Sequence, residues 1–169
     1  LRIRTSPVRS TTVNFTLNQG NKNYNSELFA QRNYQINYLE LLPEFNYQFS
    51  TDLRLTFAGT YGNQHNASRF GGEKNQHITF STETRYNVLK KGVLTGKVSY
   101  INHKFTGESN STIGYEMLSG LQIGNNYTWG LGLQRTIGNG IQLNISYEGR
   151  KSPEVNAIHT GNMQVRAYF

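Results

Sequence analysis

Apolar and polar residues alternate one by one along most of the chain, and apolar residues almost nowhere recur at the three-to-four spacing of a helix. Val13, Phe15 and Leu17 alternate with Thr12, Asn14 and Thr16. Leu39, Leu41, Phe45, Tyr47 and Phe49 alternate with Glu40, Glu44, Asn46 and Gln48, and Leu53, Leu55, Phe57 and Tyr61 alternate with Arg54, Thr56 and Thr60. Ile78, Phe80, Tyr86 and Val88 oppose Thr79, Ser81, Glu83 and Arg85, and Leu94, Val98 and Tyr100 oppose Thr95, Lys97 and Ser99. Three more strands follow: Tyr127 to Leu133, Ile141 to Tyr147, and Met163 to Phe169. Successive side chains of a strand point to opposite faces, so each segment has one apolar and one polar face. The pattern predicts an all-β chain of about eight strands.

The connectors fall into two lengths. Short turns lie at 50–52, at 89–92 and around 138–140, whereas the connectors at about 19–33, 64–75, 106–125 and 151–160 are long. Short and long alternate, as in an outer-membrane barrel with tight periplasmic turns and longer external loops. The expected fold is therefore an antiparallel up-and-down transmembrane β-barrel over residues 1–169, one domain with both termini periplasmic, or the last eight strands of a larger barrel. Strand parity makes 106–125 one external loop, in which Met117, Leu118 and Leu121 are placed to form a helical turn folded over the mouth. Pro43 removes a ladder donor inside an apparent strand and implies a bulge or a local break in pairing.

Composition changes this picture in two ways. A mean hydropathy of −0.61 and apolar runs no longer than three residues exclude a membrane helix, which needs about 20 apolar residues. They leave a barrel open, because its strands average a lipid face with a polar lumen. The polar set carries Glu40, Glu44, Glu83 and Glu148 with Arg54, Arg85, Lys97 and Arg166, while the apolar set is uncharged. These charges are expected to form a balanced lumen network. Keeping Val88 and Leu94 on one face of their hairpin pairs Glu83 with Lys97 and His77 with His103, and the Gly138 turn pairs Gly130 with Glu148. Phe49, Tyr86 and Phe169 then fall on a periplasmic aromatic girdle, and Tyr61, Tyr100, Tyr127, Trp129 and Tyr147 on an outer one.

The net charge of +7 arises from 17 Lys and Arg against 10 Asp and Glu, with no like-charged block longer than two residues and no basic helix. No nucleic-acid partner is expected. Arg2, Arg4, Arg9, Lys90, Lys91 and Arg135 are expected at the periplasmic side. Arg69, Lys74, Lys104, Arg150 and Lys151 belong to the outer rim, within reach of lipopolysaccharide phosphates. The chain contains no Cys, which excludes a disulfide framework and a thiolate zinc site.

Residues 160–169 alternate to a terminal Phe and resemble the last strand that the barrel-assembly machinery recognises, with Met163, Val165, Ala167 and Phe169 as its apolar face. Gln164 stands where that signal often has Gly. Tyr147-Glu-Gly-Arg-Lys-Ser-Pro153, Ile158-His-Thr-Gly161, Leu118 to Trp129 and Leu42 to Phe49 are similar to segments of large outer-membrane proteins of the Bacteroidota, including relatives of TonB-dependent receptors. The resemblance covers most of 38–169. It implies an outer-membrane barrel, and it makes the chain compatible with the final strands of a longer protein.

Candidate chemistry is sparse. His77 and His103, opposed on a hairpin, are the candidate metal ligands if a third donor arrives from His65, His159, Glu73 or Glu108. Otherwise they are polar rim residues, and no metal or other cofactor is expected. Ser68, His65 and Glu73 share a loop, yet no sharp nucleophile turn accompanies them, so no catalytic residues are assigned. Asn66-Ala-Ser68 and Asn110-Ser-Thr112 match the glycosylation sequon, which means little in a bacterial outer membrane. The expected role is a non-catalytic anchor or scaffold in a surface or envelope complex, with outer-membrane lipids, lipopolysaccharide and envelope proteins as partners. The alternatives are the carboxyl-terminal part of a TonB-dependent-type or porin-like transporter, and a soluble β-barrel binding protein.

Overall fold

The structure is a computed structural model that describes residues 1–88, 91–138 and 140–167. Among the described residues nine strands form one sheet whose spatial order is the order in sequence, every neighbouring pair antiparallel. They are β1 (Arg2–Val8), β2 (Thr11–Tyr24), β3 (Tyr34–Gln48), β4 (Leu53–Asn66), β5 (Lys74–Val88), β6 (Gly92–Thr106), β7 (Gly124–Ile137), β8 (Ile141–Lys151) and β9 (Ile158–Ala167). One short helix, α1 (Thr112–Met117), lies between β6 and β7.

The all-β, up-and-down expectation holds, with one strand beyond the eight that the alternation defines. That strand is β1, where Ile3 and Thr5 pair with Phe15 and Val13 while Arg2 and Arg4 pair with Thr16 and Asn14. A single apolar residue, Ile3, between two arginines makes a weak alternation, and only pairing with β2 turns it into a strand. The register shifts between Thr5 and Val8, around Pro7. Proline is tolerated there because β1 is an edge strand, where a missing N–H breaks no second ladder. β1 also carries the chain back along the sheet, so Leu1 bonds to the Leu17 backbone halfway along β2 rather than lying at the short-turn rim.

The ends of β1, β3, β5 and β7, each followed by a short connector, gather at one rim, and the long connectors at 25–33, 67–73, 107–123 and 152–157 at the other. The two hairpins whose register follows from the alternation pair as it requires: Glu83 with Lys97 and His77 with His103 across β5 and β6, and Gly130 with Glu148 across β7 and β8. Pro43 breaks the β3–β4 ladder without shifting it, since Leu41 pairs Tyr61 and the pairing resumes in the same register at Glu44 and Ala58. Gly59 lies opposite, and a Cβ there would approach the proline ring at 3.2 Å. A glycine across from the ring is what spares this strand a bulge.

The ladders also define how far the strands lean. Followed along the pairs, Ile158 at the start of β9 leads through Arg150, Thr128, Ser99, Ser81, Ala58 and Glu44 to Asn14, ten residues short of Tyr24 where β2 ends. With the strand ends at one rim, that stagger over seven strand spacings is a tilt of about 45°, at about 3.3 Å per residue and about 4.8 Å per strand. This is the lean of barrel staves.

Burial is inverted relative to a water-soluble domain. Among the described residues the buried hydrophobics are Ile36, Met117 and Leu118, whereas Asn14, Asn66, Asn75, Ser99, His103 and Asn126 are buried polar groups. Leu17, Leu41, Phe45, Phe57, Phe80, Val98, Leu131, Met163 and Val165 stand exposed, all on the face opposite the charges. The assembly-strand face of β9 presents Met163, Val165 and Ala167 in that outward phase, opposite Ile145, Leu143 and Ile141. Phe169, expected at its end and in the short-turn girdle, lies outside the described residues, as does Lys90.

The register is testable because the chain has no Cys of its own. The double variant Ile145→Cys, Met163→Cys is expected to oxidise to an intramolecular disulfide, and Ile145→Cys, Gln164→Cys to stay reduced, because a one-residue step moves the thiol to the other face. Non-reducing electrophoresis reads both.

Candidate functional site at the inner face

The inner face carries more positive charge than the expected four-to-four balance. Glu40, Glu44, Glu83, Glu148, Arg54, Arg85, Lys97 and Arg166 all occupy inward positions, but so do Arg2, Arg4, Lys22 and Arg150. The sequence placed Arg2 and Arg4 at a rim and Lys22 in a loop, because their strands extend further than the apolar alternation does.

The mutually satisfied network is also corrected. Among the described residues, ion pairs within 4.0 Å join Lys22 to Glu116 and His77 Nε2 to Glu40 Oε1, the latter at 3.9 Å and charged only when the imidazole is protonated. Glu83 and Lys97 are cross-strand neighbours without direct contact, and Arg54 faces another cation, Arg85, across β4 and β5. Like charges placed opposite each other are unfavourable unless water screens them. Glu83 and Lys97 line a trough of about 690 Å³, together with Ser99, Thr128, Gly130 and Glu148 among others. Glu44 is the exception to the loose arrangement: its Oε1 accepts from Asn14 Nδ2 at 2.8 Å and Asn46 Nδ2 at 2.6 Å.

Towards the long-loop rim, residues 107–123 fold back over the inner face. Ser111 caps α1 by accepting from Gly114 N at 3.0 Å, and the left-handed Ser119 and Gly120 end the helical segment. The Met117 carbonyl accepts from Asn75 Nδ2 at 2.8 Å, Glu116 meets Lys22, and the Met117 and Leu118 side chains are fully buried. The segment is thus fastened to β2 on one side and β5 on the other. The helix lies earlier than the turn expected at Met117, Leu118 and Leu121: α1 ends at Met117, Leu118 caps it, and Leu121 lies beyond it.

Three buried asparagines hold the loop ends, and the alternation gives no notice of them. Asn66 accepts from Gln35 N and donates to Phe70 O and to Glu73 Oε2, Asn75 holds Met117, and Asn126 both donates to Gln122 O and accepts from Gln122 N. Each is an inward-phase Asn within three residues of a long connector. That combination is the sequence signal that would have found them, since a short amide has both a donor and an acceptor for stray loop backbone.

His77 and His103 do meet, with ring centroids 5.7 Å apart. His103 Nδ1 lies 3.3 Å from Asn75 Oδ1, whereas His77 Nδ1 is buried without a partner. The His77 ring covers Gly62 so closely that a Cβ there would overlap it. The expected third donors go elsewhere: Glu73 is taken by Asn66, His65 is in the outward phase of β4, His159 stacks on Tyr147 on the outer face of β9, and Glu108 is exposed in the long connector. Among the described residues no group of three or more His, Asp or Glu is arranged to hold a metal ion.

The outer face is uncharged along the middle of every described strand. Its cations, Lys74, Lys104, Lys151 and Arg135, sit near strand ends. Tyr61, Tyr100, Tyr127, Trp129 and Tyr147 lie on this face towards the long loops, and Tyr86 and Phe49 towards the short turns. Tyr100 donates to Asn125 Oδ1 at 2.9 Å, and Tyr147 bonds to His159 Nδ1 at 2.8 Å, so their polar ends are satisfied while the rings face outward. Gly149 makes room for the Trp129 ring, which lies across it.

No family model matches the chain, and no curated protein matches it. Among solved structures it is similar to the backbone structure of the Yersinia pestis outer membrane protein Ail in a phospholipid bilayer nanodisc, at 15% identity over 94% of this chain and 97% of that one, with a TM-score of 0.33. That likeness is too distant to assign a family or an activity.

Two substitutions test the inner site. Asn75→Ala leaves the buried Met117 carbonyl unpaired and is expected to weaken docking of 107–123 by about 1–3 kcal/mol, read as faster proteolysis or hydrogen exchange confined to that loop. Gly62→Ala is expected to displace the His77 ring while the fold persists, seen as a shift of the His77 and His103 imidazole resonances.

Proposed function

We propose that this chain is a wall of an integral outer-membrane β-barrel and serves as a non-catalytic anchor or scaffold in the cell envelope. One observation carries the reading: the face that is bare is the apolar one. Val98 is 61% exposed, Phe80 61% and Leu131 56%, while the charged groups of the strand middles face inward. Such a continuous apolar surface is far beyond the scattered patches of a soluble monomer. In hydrocarbon it is the favourable arrangement, since a midplane Arg or Lys costs about 2–4 kcal/mol there. The strand tilt, the two connector lengths and the tyrosines at the edges of the uncharged band support the same reading.

The Bacteroidota-type carboxyl-terminal pattern supports export to that membrane and handling by the barrel-assembly machinery. The outward cations Lys74, Lys104 and Lys151 suit lipopolysaccharide phosphates beyond the tyrosine belt. A second reading, the wall of a TonB-dependent-type or porin-like transporter, is favoured by the charged trough, whose groups remain unpaired.

Val98→Arg is expected to abolish stable membrane assembly, measured as loss of the heat-modifiable, carbonate-resistant species. Thr160→Arg, on the exposed inner face of β9, is expected to assemble normally. A chain that stays monomeric in detergent-free buffer would overturn the proposal in favour of a soluble binding protein.

A further inference from the structure

Among the described residues both edges of the sheet are open, and their geometry specifies what covers them. β1 pairs with the first part of β2 and leaves Asn18 to Tyr24 free on that side, while β9 pairs with β8 alone. Among the described residues no ladder joins β1 to β9, and every described residue of both strands is exposed. Hydrocarbon does not tolerate such edges, because nothing in it bonds to free N–H and C=O groups, so a sheet that spans the membrane must be closed. The inference rests on the membrane reading and asks what closes it.

Three observations argue against closure within residues 1–169. Nine alternating strands make β1 and β9 run in the same direction, so a β1–β9 seam would be parallel in an otherwise antiparallel sheet. The antiparallel alternative, β9 against β2, is obstructed by β1, which occupies the β2 edge from Thr11 to Thr16. An eight-stranded barrel also has an interior filled by side chains. Here Thr160, Asn162, Gln164 and Arg166 stand exposed on the inner face of β9, Arg54 faces Arg85, and the trough is open. A second copy does not solve the directional problem, since two copies inserted the same way again bring β1 and β9 together in parallel.

We propose that the nine strands are an arc of a wider barrel, closed by an odd number of further antiparallel strands from outside residues 1–169 of the same polypeptide. The odd number follows from direction: only then do both new seams become antiparallel and the total even, as in bacterial single-chain barrels. The same polypeptide is favoured because every neighbour in this sheet is a neighbour in sequence. The wider lumen would hold water around the unpaired inner charges, with the α1 segment lying across part of its mouth.

The test places a photo-crosslinker, p-benzoylphenylalanine, at Ile3 on β1 or Val165 on β9 in the full-length protein in native outer membranes, with Thr5 and Met163 as second positions should either variant assemble poorly. Adducts are mapped by mass spectrometry. Peptides of the same polypeptide from outside 1–169, at both edges, are the expected result. Adducts between β1 and β9, within or between copies, adducts to a different protein, or lipid adducts alone would each overturn it. Failure of the membrane reading would show separately, as release of the protein by carbonate before any crosslinking. As an independent measure, the double variant Ile3→Cys, Val165→Cys is expected to give no intramolecular disulfide under conditions in which Ile145→Cys, Met163→Cys is fully oxidised. A disulfide of equal yield would mean direct closure.

Discussion

The structure depends on one constraint, the coupling of strict two-residue alternation to an unbroken antiparallel ladder. Because side chains change face at every residue, each hairpin that keeps its register keeps all apolar residues on one side and all strand-middle charges on the other. Seven successive pairings, from β2 to β9, hold that phase without a slip, even across Pro43 where ladder bonds are missing. Among the described residues the only shift is in β1, at the edge, where no further strand inherits the error.

Inversion of the usual burial follows from that coupling. A domain of this length in water would bury a large apolar core, yet here the buried set is mostly amides and an imidazole. Hydrogen bonding takes over the organising role of the core on the inner side. Asn66, Asn75 and Asn126 each satisfy loose loop backbone, and Asn75 touches both Met117 and His103, so the placement of α1 and the environment of the histidine pair are set by one side chain. The histidines therefore belong to the anchorage of the α1 segment as much as to the rim.

Electrostatics on the inner face is permissive where hydrogen bonding is not. Opposed arginines and a Glu–Lys pair without contact are compatible with an open, hydrated trough, where screening leaves little to gain from forcing long side chains together. Two carboxylates do find partners: Glu44 with the amides of Asn14 and Asn46, and Glu116 with Lys22 at the exposed mouth. The positive excess therefore belongs to the inner surface itself, through Arg2, Arg4, Lys22 and Arg150, and not only to the two rims.

The fold was legible from residue order because period two is a local property. Val13 to Leu17, Phe45 to Phe57 and Ile141 to Tyr147 each declare a strand and its apolar face without reference to anything distant, and hairpin parity then yields pairs such as Glu83 with Lys97. The aromatic positions and the helical turn near Met117 were readable for the same reason. What only the tertiary structure decided are the features that need two distant segments at once: that Arg2–Val8 is a strand because β2 offers it an edge, that Asn75 reaches a carbonyl from another loop, and that the lumen charges stay apart. The openness of the sheet belongs here too, since strand direction at the two edges is a count over the whole topology, and no stretch of sequence carries that count by itself.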